Sequence, residues 1–221
     1  DCKYKWKSFD NYEGAKRGIA SLKREAELDN PKMYEKVMNE SLFTFVDKSV
    51  RGGPNADYLV AKVVYERYKD EFISVNVKDE WFHFQGHRWE RTLEGTNLKN
   101  KIHNEIYKIY YEYQEYYMKK KDEEIKRLQA EGMDTEEVTM GKSGFGKLLQ
   151  NIMNIQAKLL QGQYVNGVMK NLRDMFYTKE IMEQFDTDTS LLGFDNGVYD
   201  LKNNEFREGR PEDYITMSTK V

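Results

Sequence analysis

Only one cysteine, Cys2, and three prolines occur in the 221 residues. A lone thiol excludes an intrachain disulfide and a thiolate metal cage, and fits a reducing, intracellular setting. No apolar run approaches the roughly 20 residues that cross a bilayer, so no membrane partner is expected. Charge of one sign is lacking too: 35 Lys and Arg stand against 38 Asp and Glu, a net charge of -3. Whole-surface attraction to nucleic acid is thereby excluded, and any DNA contact has to come from a local patch. The opening residues, Asp1-Cys2-Lys3-Tyr4-Lys5-Trp6, hold neither an initiator methionine nor a signal-peptide core, and read as the start of an excised fragment.

What is present suffices for a core. Hydrophobic residues make up 39% and aromatic ones 14%, with 16 Tyr, and a chain of this length can bury roughly 70% of its unfolded surface. Helix-compatible residues run from Tyr12 to Asp29. Asn30-Pro31 then supplies a cap and a first-turn proline for a second helix reaching about Lys48. Arg51-Gly52-Gly53-Pro54 breaks it, and Leu59, Val60, Val63, Val64 and Tyr68 predict a third. Ile73, Val75 and Val77 alternate with Ser74 and Asn76, as in a strand whose two faces see different surroundings. The aromatic stretch 81–89 continues it as a small antiparallel meander.

Leu98, Ile102, Ile106, Ile109, Tyr113 and Tyr117 step by four, four, three, four and four, which predicts one face of a long helix. Its later turns offer Glu115 with Lys119, Asp122 with Lys126 and Glu123 with Arg127 at solvated i,i+4 spacing. Glycines between 131 and 146 predict a flexible connection. Leu149, Ile152, Ile155 and Leu159, then Val165, Val168, Leu172 and Phe176, describe one or two further helices, with Gly162 and Gly167 as candidate breaks. Residues 191–201 read as extended chain, turning at Lys202-Asn203-Asn204 into a second strand. The expected fold class is α+β, mostly α-helical with two small antiparallel β elements. The expected division is 1–11 as the tail of another module, 12–131 as a helical region with a meander at 73–89, 132–147 as the connection, and 148–221 as helices followed by a β hairpin.

Chemistry is sparse in this pattern. Gly141-Lys142-Ser143-Gly144-Phe145-Gly146-Lys147-Leu148 approaches a phosphate-binding loop, but Leu148 stands where a magnesium-binding hydroxyl belongs and no apolar strand precedes it. A flexible basic loop is the competing reading. His83 and His87 could hold a metal if helical, but strand and turn context favours aromatic packing around Trp81 and Trp89. Asp195 and Asp200 flank Asn196-Gly197 either as a metal pair or as turn formers. Lys142, Lys147, Lys158, Lys170 and Arg173 are candidate phosphate contacts, with solvated helix faces as the alternative. The tyrosine face of the long helix could stack on bases, yet its spacing is first that of a packing stripe. No nucleophile or acid-base pair is marked, so no catalytic residue, metal or cofactor is assigned to this chain.

Two stretches carry a family resemblance. Asp57-Tyr58-Leu59-Val60-Ala61-Lys62, Tyr68-Lys69-Asp70 and Trp81-Phe82-His83-Phe84-Gln85-Gly86-His87-Arg88-Trp89 resemble the region before the motor in poxvirus-type and giant-virus primase-helicases, as also found in phage and plasmid primases. Leu192-Gly193-Phe194-Asp195-Asn196-Gly197-Val198-Tyr199-Asp200-Leu201 with Arg210-Pro211-Glu212-Asp213-Tyr214-Ile215 resembles the end of that region. The resemblance implies an archaeo-eukaryotic primase ahead of this chain and a superfamily 3 AAA+ helicase after it, with ATP and Mg only in that downstream motor. It makes residues 1–11 the tail of a primase-associated module, and Trp81, His87, Arg88, Trp89, Asn196, Gly197, Asp200 and Leu201 framework. The implied role is a non-catalytic collar that helps gather six motors in a hexamer, with weak, non-specific DNA contact at a cytoplasmic viral replication site. A free-standing protein-interaction module is the alternative.

Overall fold

The computed structural model describes residues 19–75, 80–136 and 144–219. The expected tail at 1–11, Val77 and Lys142 lie outside these residues. Helix α1 spans Ile19–Asp29 and α2 Pro31–Arg51. The Asn30 side chain accepts a hydrogen bond from the Met33 amide at 3.1 Å, and Pro31 opens α2 where its missing N–H costs nothing. After a turn at Gly53–Asn55, α3 spans Ala56–Tyr68 and packs Val60, Val63, Val64 and Tyr68 against Leu42, Val46 and Val50 of α2.

Strands β1 (Phe72–Ser74), β2 (Glu80–Gln85) and β3 (Arg88–Leu93) form an antiparallel sheet in that order. Gln85 pairs with Arg88, so the β2–β3 turn has two residues, and its first, Gly86, sits at φ +72°, where a side chain would be strained. Phe72, Ser74 and Trp81 point to one face and Ile73, Phe82, Phe84 and Trp89 to the other. The alternating sequence predicts unlike surroundings for the two faces. They enter separate cores, and both are buried: Ser74 is 1% exposed because residues 176–178 run alongside it, with its N–H on the Phe176 carbonyl at 3.0 Å.

The predicted long helix is present with one irregularity. Helix α4 (Thr96–Lys101) passes through a π-helical turn at Ile102–Ile106 into α5 (Tyr107–Ala130). The Tyr107 N–H reaches the Ile102 carbonyl, five residues back. On a regular α-helix two successive steps of four would rotate Ile106 away from Leu98, and the wider π turn cancels that drift. Leu98, Ile102, Ile106, Ile109 and Tyr113 are all buried as a result. Beyond Tyr117 the helix is largely exposed, and Arg127 meets Glu124 at 2.6 Å.

Helices α6 (Gly144–Leu159) and α7 (Gly162–Met175) resolve the open question of one helix or two. The break falls at Leu160-Gln161, just before Gly162 opens α7, whereas Gly167 lies inside α7. Leu148, Ile152, Leu159, Val165, Val168 and Leu172 join α2–α5 and one face of the first sheet in a single apolar cluster, which therefore draws on both sides of 132–147.

The C-terminal β element has three strands where the spacing predicts a hairpin of two. Strands β4 (Leu191–Phe194), β5 (Gly197–Asp200) and β6 (Glu205–Arg207) are antiparallel, and Thr219 bridges Phe194 in parallel at the β4 edge. The strand at 191–194 reads as continuous with 197–201 in sequence, but Asp195-Asn196 turns the chain between them. The fold is thus mostly helical with two small three-stranded antiparallel sheets. Among the described residues no helix is long and apolar enough to cross a membrane.

A second, smaller core lies between the outer face of the first sheet and the C-terminal segment: Ile73, Val75, Phe82, Phe84, Trp89 and Ile181, with Phe185 and Tyr214 against it. Trp89 closes this seam twice, its indole N–H donating to the Pro211 carbonyl at 2.9 Å and its amide to the Ile215 carbonyl at 2.7 Å. Gly209 approaches so closely that a Cβ there would overlap the His87 backbone. Gly209→Ala is therefore expected to cost about 1–3 kcal/mol by forcing the seam apart, read as a lower urea midpoint with the helical circular dichroism retained.

Candidate functional site

A group of ionisable side chains surrounds a polar cavity of about 300 Å³ where α1, the end of α3, the first sheet and the π turn meet. The Arg67 guanidinium and the Lys101 ammonium both lie over the Tyr68 ring, at 5.0 and 4.9 Å, and its hydroxyl donates to Glu105 at 2.8 Å. Lys101 also pairs with Glu105 at 3.1 Å and Glu71 at 3.4 Å, and Lys23 of α1 with Asp70 at 2.6 Å. Burial lifts Glu71 above the usual carboxylate range against the pull of Lys101 and Arg67. Burial also pushes on Glu105, yet Lys101 and the Tyr68 hydroxyl hold it below that range. Lys23, Arg24, Arg67 and Lys101 balance Glu27, Asp70, Glu71 and Glu105 in the lining. Such a matched set orients elements and contains no activated nucleophile.

His83 faces this cavity and stacks on Phe72, ring centres 4.2 Å apart and planes 3° from parallel. The Asn97 side-chain amide lies 3.1 Å from its Nδ1, a donor that places the proton of the neutral ring on Nε2. His87 stands in the β2–β3 turn, where its Nδ1 accepts from the Gly209 amide at 3.4 Å. Aromatic packing therefore describes His83. Among the described residues no group of three or more His, Cys, Asp or Glu is placed to hold a metal ion.

Of the motif residues expected to be framework, Trp81 lies in the main core and Trp89 in the smaller one. Trp81 is 1% exposed and packs on Phe176 within the main core. Arg88 reaches across to Asp195 at 2.7 Å and also meets Glu90 at 2.9 Å, joining the first motif stretch to the turn that holds Asn196. A Cβ on Gly197 would strike the Phe206 ring at 2.6 Å. Asp200 accepts from the amides of Lys202 and Asn203 and from the Asn203 side chain, so it is a turn former. Leu201 is 52% exposed. The two stretches, more than 100 residues apart in sequence, form one packed seam.

Four of the basic candidates, Lys147, Lys158, Lys170 and Arg173, sit on α6 and α7. Lys147 and Lys158 are eleven residues apart, three helical turns, and so share one flank of α6 about 16 Å apart. Lys158 lies 4.0 Å from Asp57 and over the Tyr164 ring at 5.3 Å. Lys170 is exposed on α7 and Arg173 half-buried. Leu148, the residue that spoils the phosphate-loop pattern, is 4% exposed in the main core, and Phe145 packs on Tyr117. Residues 144–148 are the first turn of a packed helix. The cavity residues Arg67, Glu71, Lys101 and Glu105 escaped the sequence reading. The only signal was a pair of i,i+4 acid-base spacings, Arg67 with Glu71 and Lys101 with Glu105, which are common on solvated helices.

The profile described as D5 N terminal like matches residues 61–221. The chain is 27% identical to a provisionally named helicase of Acanthamoeba polyphaga mimivirus, over 99% of this chain and 21% of that protein. It is 24% identical to a provisionally named helicase of Frog virus 3, over 73% and 18%. Against a provisionally named primase of African swine fever virus it is 22% identical, over 78% and 18%. The chain thus spans about a fifth of the length of these curated relatives.

Burial, with Lys101 adding to it, holds the His83 imidazole down to about 4. As pH falls below 6.5 the unfolded chain takes up this proton while the folded chain does not, so stability present above 6.5 is lost as pH falls through about 4. A loss of about 2–3 kcal/mol over that window is expected. His83→Gln should flatten it in urea unfolding series at pH 7, 5.5 and 4; an unchanged slope would place the effect elsewhere.

Proposed function

The chain belongs to the D5 N-terminal-like family, and on that premise we propose that it is the non-catalytic region between primase and motor of a viral DNA primase-helicase. The observation that carries this reading is the family match over 61–221, together with the likeness to viral proteins named helicases and primases. In this reading the longer protein is an ATP-dependent superfamily 3 helicase with a primase, its ATP and Mg held by the motor. The chain acts as a collar for a homohexamer at an intracellular, cytoplasmic site of viral replication.

DNA contact in this reading is weak and non-specific and falls to α6 and α7. Residues 144–179 carry Lys147, Lys158, Lys170, Arg173 and Lys179 against Asp174 alone, a local positive patch on a chain that is slightly acidic as a whole. Lysines on helix flanks meet phosphates without reading bases, so affinity falls with salt.

Replacing Lys142, Lys147, Lys158, Lys170 and Arg173 by alanine in the longer protein should weaken single-stranded DNA binding. It should also flatten log K against log salt by about 0.7 for each phosphate that is no longer neutralised. Unchanged affinity and slope would remove these residues from any DNA path. Deleting residues 1–221 should impair hexamer formation and unwinding; a deletion protein that assembles and unwinds as before would end the collar reading.

A further inference from the structure

Arg67 is the most enclosed of the four cations that line the polar cavity, its side chain 10% exposed against 23% for Lys101 and 27% for Lys23. Its one hydrogen bond among the described residues is nevertheless long, from Nη1 to Glu71 at 3.4 Å. Glu71 is as loosely held on its other side, 3.4 Å from Lys101. Charge-assisted bonds normally close to about 2.7–2.9 Å, as the Tyr68 hydroxyl does on Glu105 at 2.8 Å. A guanidinium carries several N–H donors and a carboxylate several lone pairs, so most of the bonding capacity of the Arg67–Glu71 pair is left to whatever fills the space beside it. That space is ample. Arg67 stands between the cavity of about 300 Å³ and a neighbour of about 220 Å³, and Glu27, Tyr34 and Glu105 line both as well. The larger one alone reaches the lower end of small-molecule pockets, about 300 Å³.

Charge and the order of polar groups narrow the occupant. The lining of the larger cavity sets Lys23, Arg24, Arg67 and Lys101 against Glu27, Asp70, Glu71 and Glu105, so an ion of either sign entering it meets like charges and a neutral polar molecule does not. Arg67 offers a row of donors and Glu71 beside it a row of acceptors. Among the DNA bases guanine presents the full complement on adjacent edges, the acceptors N7 and O6 followed by the donors N1–H and the N2 amino group. Arginine forked on N7 and O6 is its usual partner. Adenine alternates acceptor and donor along the same edges, cytosine has two acceptors but a single donor group, and thymine places its donor between two acceptors. Tyr34 and Phe84, also in the lining, supply aromatic surface for a base.

We propose that this cavity binds a guanine base, with the Arg67 fork on N7 and O6 and the Glu71 carboxylate on N1–H and the N2 amino group. The base comes from a free nucleoside or from an unstacked position of a single strand, and the chemistry recognised is the same. The site is separate from the DNA patch proposed on α6 and α7, and it stands whether or not the chain is a collar.

The test is calorimetry of the 221-residue chain with guanosine, adenosine, cytidine and thymidine. Guanosine should bind about tenfold tighter than the others or more. Inosine, which lacks the N2 amino group, and 7-deazaguanosine, which lacks N7, should each bind about tenfold more weakly than guanosine. Glu71→Gln exchanges one acceptor for a donor, and Arg67→Lys keeps the charge without the fork; each should weaken guanosine by about the same factor. Urea midpoints establish that the variants fold, and the analogue series decides the matter without any substitution. A dT strand with one central dG that binds more tightly than dT alone, an excess erased by Glu71→Gln, supports the proposal and assigns the base to a strand. Guanosine binding without that excess supports it and assigns a free nucleoside. Absence of both guanosine binding and the dG excess, equal binding of adenosine or inosine, or indifference to both substitutions overturns the proposal. Displacement of guanosine by inorganic phosphate would overturn it by making Arg67 an anion site.

Discussion

Burial of the β1–β3 sheet on both faces is the constraint on which the rest of the molecule depends. A strand sends successive side chains to opposite sides, so Phe72 and Trp81 enter the helical core while Ile73, Phe82, Phe84 and Trp89 enter a separate, smaller one. Neither core could be removed without exposing half of the same three strands. The helical bundle and the C-terminal segment are therefore tied to a shared wall. Trp89 shows how tightly, since its indole and its backbone both bond to the C-terminal chain. An unpaired indole N–H in that apolar setting would carry a desolvation cost comparable to the bond itself.

The polar cavity on the edge of that wall does for charges what the two cores do for apolar groups. Arg67, Lys101, Glu71 and Glu105 come from α3, α4, the loop before β1 and the π turn, and meet around the Tyr68 ring. Pairs of this kind add little net stability once desolvation is counted, but breaking one leaves a partly buried charge alone. They act as registration marks between elements. Lys23 extends the network to α1, whose own apolar residues Ile19, Leu22 and Leu28 are exposed. α1 is thus held in part by charge, in contrast to α2 and α3.

Charge is separated along the chain. The α6–α7 pair is basic and the following sheet acidic, although the total nearly cancels. A near-neutral chain can therefore present two surfaces of opposite preference, one compatible with phosphates and one averse to them. The near-phosphate loop illustrates the opposite lesson. Its pattern is close to a nucleotide site, but Leu148 turns inward to join Ile152 and Leu159 in the main core, and a residue committed to packing cannot present a metal ligand.

Local signals alone determined much of this protein. The apolar period of 98–117, the Asn30-Pro31 helix start, the mostly helical class and the two β regions were legible because each depends on neighbours within a few residues. The two motif stretches by themselves also identified the family region. Tertiary structure alone decided the other features. The sequence could not show that Ser74 is covered, because its cover comes from Phe176 to Thr178, a hundred residues away. Nor could it show that the Asp195-Asn196 turn splits one extended run into two strands, or that steps of four are absorbed by a π turn. The cavity was invisible for the same reason: i,i+4 pairs such as Arg67 with Glu71 look identical on a solvated face and on a packed one. Only the approach of the first sheet and α1 removes the water that would otherwise screen them.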